Sequence, residues 1–187
     1  LIGPPMKSTL KCNWKVPAEN FVGDAYHVGW THAAALEILG GELAGLAGNQ
    51  ADMPYDDLGI QVTTRFGHGC GVIHHAAASI HVKREGFDQY NQETIPKVAD
   101  KLGQARADLF DGHWNCTTFP NCSFLYGTNI FKVWHPRGPD EIEVWSYVLV
   151  HKDMDAAAKK EVIKQATRSF GTAGTLESDD GDNMVNA

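Results

Sequence analysis

The feature that most constrains this chain is a polar stripe on a segment that otherwise reads as a core helix. Residues 17–39 are predicted to form that helix. Pro17 suits its first position, where the missing N–H costs nothing, and Gly40 and Gly41 suit its far end. Asn20, Asp24, His27 and Thr31 follow one another at offsets of four, three and four. That spacing puts all four on one helical face. A buried face should carry Leu or Val, because buried amide, carboxylate and imidazole groups are costly unless they find partners.

His32 follows His27 by five positions. Five residues turn an ideal helix by about 500°, so the rings start roughly 140° apart. They can converge on one metal if the helix loosens at Gly29. The spacing differs from the zinc-protease His-Glu-x-x-His, which the chain lacks. Two histidines and one carboxylate with open positions form the facial arrangement of non-haem Fe(II) oxygenases. The carboxylate must come from elsewhere, and the best candidate segment is Leu176-Glu177-Ser178-Asp179-Asp180-Gly181-Asp182-Asn183-Met184.

With 187 residues, the chain can bury one substantial core and is expected to form one domain. A net charge of −7 argues against nucleic acid or an anionic membrane as partner, since both need a basic surface. No apolar run approaches the roughly 20 residues that span a bilayer, and no signal pattern opens the chain. It does not begin with Met, so a fragment or processed chain is expected. Cys12, Cys70, Cys116 and Cys122 form no Cys-x-x-Cys pair. They read as buried thiols in a reducing cytoplasm.

Residues 1–16 read as a linker or entering strand, and 40–57 as a loop rich in Gly, Asn, Pro and Asp. Ile60 to Phe66 alternates as a strand, Gly67 to Gly71 interrupts, and Val72 to Ile80 reads as the returning strand. Residues 87–111 look helical, with Pro96 marking a kink or boundary. From Trp114 to His151 the pattern is β. Ile130 to Trp134 and Ile142 to Val150 make an antiparallel hairpin around His135-Pro136-Arg137-Gly138-Pro139-Asp140. A helix over about 155–169 starts at an Asp153 or Asp155 cap. Its core stripe is Met154, Ala158, Val162, Ala166 and Phe170. The acidic segment follows a Gly-rich break. This order gives an α+β fold, with helices on one face of an antiparallel sheet.

Two segments together carry a family likeness: Asn20-Phe21-x-Gly23-Asp24-x-Tyr26-His27-x-x-x-Thr31-His32 and Glu177-Ser178-Asp179-Asp180-x-Asp182-Asn183. Between them stand Asn115-Cys116-Thr117-Thr118-Phe119-Pro120-Asn121, Phe131-Lys132-Val133-Trp134 and Glu141-x-Glu143-Val144-Trp145. Along nearly its whole length the chain resembles the large (alpha) subunit of Rieske-type aromatic-ring-hydroxylating dioxygenases, the family of naphthalene and biphenyl dioxygenases. The resemblance implies a helix-grip fold, an antiparallel sheet wrapped around helices with a deep cavity. It implies Fe(II) held by His27, His32 and Asp180, the second Asp of its pair. It also implies that Asp24 bridges to a histidine of the neighbouring subunit's Rieske cluster, and that Asn20 lies near the iron. Asp24, three residues before His27, is close enough to orient that ring. Pocket residues implied by position are Phe21, Ala25, Val28, Leu36, His113, Asn115, Leu125, Thr128, Trp134, Phe170 and Leu176. Leu176 stands where the naphthalene enzymes' pattern has Trp, which widens the pocket towards polycyclic or biaryl substrates.

The implied reaction adds both atoms of O2 to an arene, giving a cis-dihydrodiol. Its electrons come from NADH through a reductase, a ferredoxin and a Rieske [2Fe–2S] cluster. Such a cluster needs Cys-x-His and Cys-x-x-His pairs, which this chain lacks. Residues 1–187 are therefore expected to be the central part of a catalytic domain. The Rieske domain would precede them, the C-terminal end would follow, and the piece alone would be inactive. The resemblance also implies trimers of alpha subunits, with or without beta subunits.

Other readings fit less well. From composition alone, the acidic segment is a solvated run. As a calcium loop with Gly181 at position six it would need Leu176 as its first ligand. His113 and Cys116 point to opposite faces of a strand, so they make a poor nucleophilic pair. His68, His74, His75 and His81 lack ligand spacing and read as surface or cavity-wall residues. A non-enzymatic carrier of hydrophobic ligands would have the cavity without the metal residues, and a metal-dependent hydrolase would need a base that no motif supplies.

Overall fold

Strict alternation of buried and half-exposed residues along Ile142–Val148 and Ile130–Trp134 makes the centre of a sheet with one face in the core. The computed structural model describes residues 1–22, 24, 27–35, 59–73, 85–110 and 112–187. Its strands are β1 (Ile2–Leu10), β2 (Gly59–Thr63), β3 (Gly69–Ile73), β4 (His113–Thr118), β5 (Cys122–Tyr126), β6 (Ile130–Pro136) and β7 (Ile142–Val148). They form one antiparallel sheet of order β1-β7-β6-β5-β4-β3-β2. The helices are α1 (Lys15–Asn20), α2 (Val28–Thr31), α3 (Glu85–Leu102), α4 (Gln104–Phe110), α5 (Ala156–Phe170) and α6 (Thr175–Asn186). The fold is α+β and helix-grip-like, as the sequence implied. Among the described residues no helix is long and apolar enough to cross a membrane.

Register stacks the inward residues. Ile130 faces Val148, Lys132 faces Ser146, and Trp134 faces Val144. Against this face lies α5, burying Ala158, Val162, Ala166 and Phe170, with Met154 buried just ahead of the helix. The predicted stripe is thus the packed one. Asp155 is the cap, accepting the amide of Ala158 at 2.8 Å. The predicted β6–β7 hairpin also forms. At the far side of the sheet, the Thr117 hydroxyl donates to the Ala18 carbonyl at 2.7 Å, tying α1 to β4.

Four expectations change. First, the helix predicted over 17–39 is not continuous. Its first part, α1, ends at Asn20, and α2 begins at Val28. The Asp24 carbonyl, which an unbroken helix gives to the amide four residues on, lies 2.6 Å from His27 Nδ1. Pro17 falls in the third position of α1 rather than the first, still within the turn whose N–H groups lack helical partners. Second, the acidic segment is not the solvated run that composition alone gives: Thr175–Asn186 is helical, with Leu176, Asp180 and Met184 buried on one face. Third, Pro96 marks no boundary, since it lies inside α3. The break comes at Gly103, whose φ of +87° suits a residue without Cβ. Fourth, β3 begins at Gly69, inside the predicted interruption, because Thr63 pairs with Gly69 across a tight loop. The loop predicted over 40–57, the strand end over 74–80, and His74, His75 and His81 lie outside the described residues.

Candidate metal centre

The break between α1 and α2 puts the two histidines at the two ends of a short helix. His27 is the N-cap of α2 and His32 its C-cap. Gly29 stays helical and buried, so the rings meet without loosening there. Their centroids are 5.2 Å apart. One turn of α6 carries the third group. Asp180 Oδ1 lies 3.4 Å from His27 Nε2 and 3.2 Å from His32 Nε2. One ligand atom from each of the three residues lies within 4.8 Å of the others.

The remaining imidazole nitrogens are held from outside this cluster. His27 Nδ1 faces the Asp24 carbonyl at 2.6 Å and the Asp24 carboxylate at 3.6 Å. His32 Nδ1 faces the Asp179 carboxylate at 3.2 Å. Partners of this kind fix the tautomer and aim each Nε2 lone pair inward. The neighbouring carboxylates Asp179 and Asp180 therefore stand differently: one behind an imidazole, the other at the convergence point. Asn183 adds a further tie, donating its amide to the Thr31 hydroxyl at 2.5 Å.

Electrostatics follow from the geometry. Burial disfavours a charged His27, but hydrogen bonds and charge from Asp180, then Asp24, outweigh it and raise the imidazole to about 9. Burial likewise disfavours the Asp180 carboxylate. The hydrogen bonds from His27 and His32 outweigh that and hold it well below the usual carboxylate range. Without a metal, a proton shared between imidazole and carboxylate is the natural filling of this site. Two imidazoles and a carboxylate with open directions suit Fe(II), Zn(II) and similar divalent ions.

The other site candidates fall into three groups. Phe21, Leu125, Trp134, Phe170 and Leu176 belong to one buried apolar cluster. In it the Phe21 ring lies 5.2 Å from Trp134 and 6.2 Å from Phe170. His113 and Asn115 share one face of β4 and meet at 2.7 Å. Thr128 is buried between β5 and β6, and its hydroxyl finds no partner among the described residues. Val28 is half-buried on α2, and Asn20 is half-buried at the end of α1. Ala25 and Leu36 lie outside the described residues. A separate hollow of about 450 Å³ is lined by Leu102, Leu109, Phe110, Trp114, Phe124 and Tyr126 among others. Phe124 and Tyr126 alternate on β5 with the inward Ser123 and Leu125, so the hollow lies on the opposite face of the sheet.

The sequence reading missed the ion pair between Lys132 and Glu177. Burial pushes the Glu177 carboxyl up, Lys132 works against that, and Asp180 adds to it. A Glu one turn before Asp180 and an inward-facing Lys on an apolar strand were the available signals. The four cysteines are free thiols. Cys12 is buried as expected, while Cys70, Cys116 and Cys122 are only half-buried. His68 accepts the Phe119 amide at 3.1 Å and joins no metal-capable group among the described residues.

Residues 4–187 match the family described as the ring hydroxylating alpha subunit (catalytic domain). The chain belongs to that family. It is 45% identical over 189 residues to the large oxygenase component of the naphthalene 1,2-dioxygenase system of Pseudomonas aeruginosa, covering 98% of this chain and 41% of that one. It is 44% identical to the large oxygenase component of the 2,4-dinitrotoluene dioxygenase system of Burkholderia sp. (strain RASC), covering 99% and 41%. Among solved structures, naphthalene 1,2-dioxygenase with indole in its active site superposes with a TM-score of 0.91 at 42% identity. That match covers all of this chain and 42% of the other. This ring-hydroxylating alpha-subunit chain thus spans about two fifths of the length of these relatives.

Proposed function

We propose that residues 1–187 are the central part of the catalytic domain of an aromatic-ring-hydroxylating dioxygenase. In this reading His27 Nε2, His32 Nε2 and Asp180 Oδ1 hold Fe(II). The observation that carries it is the convergence of those three atoms, with both Nδ1 atoms already engaged behind them. When bound, Fe(II) supplies the reductive activation of O2 that places both oxygen atoms on adjacent ring carbons as a cis-dihydrodiol.

The chain's own residues do the rest. Asp24 and Asp179 orient the two imidazoles. With Nδ1 bonded, the His27 ring presents an unprotonated Nε2 only after it gives up a proton. Phe21, Leu125, Trp134, Phe170 and Leu176 make the apolar wall that holds a flat arene and excludes water, and Val28 and Thr128 complete it. The hydrogen-bonded His113 and Asn115 supply its polar patch. Leu176, smaller than Trp, leaves room for a polycyclic or biaryl substrate. Asp24 is 43% exposed in its side chain, which leaves it open to a neighbouring subunit. It is the candidate route for electrons from that subunit's Rieske cluster, and Asn20 stands beside the same route.

Cys12, Cys70, Cys116 and Cys122 form none of the pairs that hold a Rieske cluster. The cluster therefore belongs to residues of the protein outside this stretch. Ferredoxin, reductase, an alpha-subunit trimer and beta subunits are the partners this reading requires, and the cytoplasm is its compartment.

The test uses the full-length subunit with its partners, reduced, in the presence of naphthalene and isotopically labelled O2. The expected product is a cis-dihydrodiol with both oxygens labelled. An iron-loaded, reducible enzyme that gives no dihydrodiol from any of a panel of mono-, bi- and polycyclic arenes would refute the assignment.

A further inference from the structure

The inner face of β6 carries a lysine where an aliphatic residue is expected. Lys132 is fully buried, between Ile130 and Trp134 on the strand. Its Nζ lies 5.2 Å from the Trp134 ring, 5.5 Å from Phe170 and 5.7 Å from Phe21. Its ion-pair partner is Glu177, 11% exposed, in the first turn of α6. Burying both charges costs free energy that their attraction seldom returns, and well-packed apolar residues usually do as well. Stability alone is a weak reason for this pair.

Its position offers a better one. Glu177 precedes Asp180 by three residues, about 4.5 Å along the helix and nearly one turn around it. The apolar anchors of α6, Leu176 and Met184, are non-directional and tolerate rotation. The polar ties of α6 to α2, made by Asp179, Asp180 and Asn183, reach a short helix beside a backbone break. Among the described residues, Glu177 is the one that ties this end of α6 to the sheet through a directional contact. A slip of one residue would turn Asp180 by about 100° and move it about 1.5 Å, away from both Nε2 atoms.

We propose that Lys132 and Glu177 are positioning residues: their buried ion pair sets the rotation and height of α6 on the sheet, so that Asp180 meets His27 and His32 in metal-binding geometry. This rests on the iron-centre reading above. Neither residue touches the metal site, so the pair acts through the helix.

The experiment replaces the pair with apolar residues, Lys132→Met with Glu177→Leu, in the full-length subunit within its complex. Fe(II) affinity is measured against a competing chelator, the electron paramagnetic resonance spectrum of the Fe(II)–nitrosyl adduct is recorded, and thermal stability is followed. The expected result is iron affinity at least tenfold weaker and a broadened or shifted nitrosyl spectrum, with Tm within a few degrees of the parent. Affinity within twofold and an unchanged spectrum in the folded variant would overturn the proposal. Should the double variant not fold, Glu177→Gln is read by the same criteria. A parent protein that binds no iron overturns the iron-centre reading instead, and the positioning role with it.

Discussion

Metal binding at His27 should be a competition with protons, and the structure sets its pH range. The groups facing this imidazole are Asp180 at Nε2, Asp24 at Nδ1, and the His32 ring 5.2 Å away. Burial opposes a charged ring, but Asp180 and then Asp24 outweigh it and raise its pKa from 6.5 to about 9, a net effect of about 3 kcal/mol at 1.36 kcal/mol per unit. A metal ligand must be neutral. Below about 9, each ion bound must therefore displace one proton that Asp180 helps to hold. The apparent affinity should rise about tenfold per pH unit from 6.5 to about 9, on the order of 300-fold in all, and then level off. The assay is competition of the metal-stripped full-length subunit against a chelator, under argon, with the chelator's own protonation subtracted. Affinity independent of pH over this range, or a plateau already at pH 7, would refute the proton-filled site. The metal-free protein should show the converse in stability. His27, with a raised folded pKa, contributes stability that is complete below 6.5 and lost as pH rises through about 9. Asp180, held low, contributes stability that is complete above 3.8 and lost on acidification.

Asp180→Ala should abolish tight Fe(II) binding, while Asp179→Ala, which only frees His32 Nδ1, should keep affinity within about tenfold. Metal content after dialysis distinguishes them, and iron retained by the Asp180 variant would sink the ligand assignment. Asp24→Asn keeps the backbone carbonyl that holds His27, so iron should stay bound. Electron delivery in a single turnover should slow, and an unchanged rate of iron-centre reduction would rule out the relay. Asp155→Ala removes the cap of α5 and should cost about 1 kcal/mol of stability, read as a lowered denaturation midpoint without loss of bound iron. Phe21→Ala empties a side chain that is 2% exposed and should cost about 3–5 kcal/mol, read by the same denaturation.

Much of the fold was legible because its signals are local. The alternation along β6 and β7 needs no knowledge of the rest of the chain, and it placed the hairpin and its inward residues. The stripe from Met154 to Phe170 placed α5 for the same reason. Where prediction failed, a distant partner or a side-chain competitor decided. The segment after Asn20 has helical spacing, but α1 ends there and α2 begins only at Val28, with the Asp24 carbonyl facing His27 Nδ1 between them. Pro96 is a helix breaker by its chemistry, yet the chain breaks at Gly103, where φ is +87°.

The site was legible in a different way. His27 and His32 stood out because imidazoles on a core-like face need partners, and the family likeness joined them to Asp180 across almost 150 residues of sequence. The shape of α6 was not legible. Glu-Ser-Asp-Asp-Gly-Asp-Asn contains poor helix formers, with Gly181 about 1 kcal/mol worse than Ala. Local preference therefore gave no helix there. The helix forms because its ends and one face are held from elsewhere. Leu176 and Met184 enter the core, Glu177 meets Lys132, and Asp179 and Asp180 meet two histidines on α2. These contacts together supply what the helix lacks in local preference. Its weak intrinsic preference leaves the placement of Asp180 to those contacts, so the candidate metal site depends on how α6 packs against the inner face.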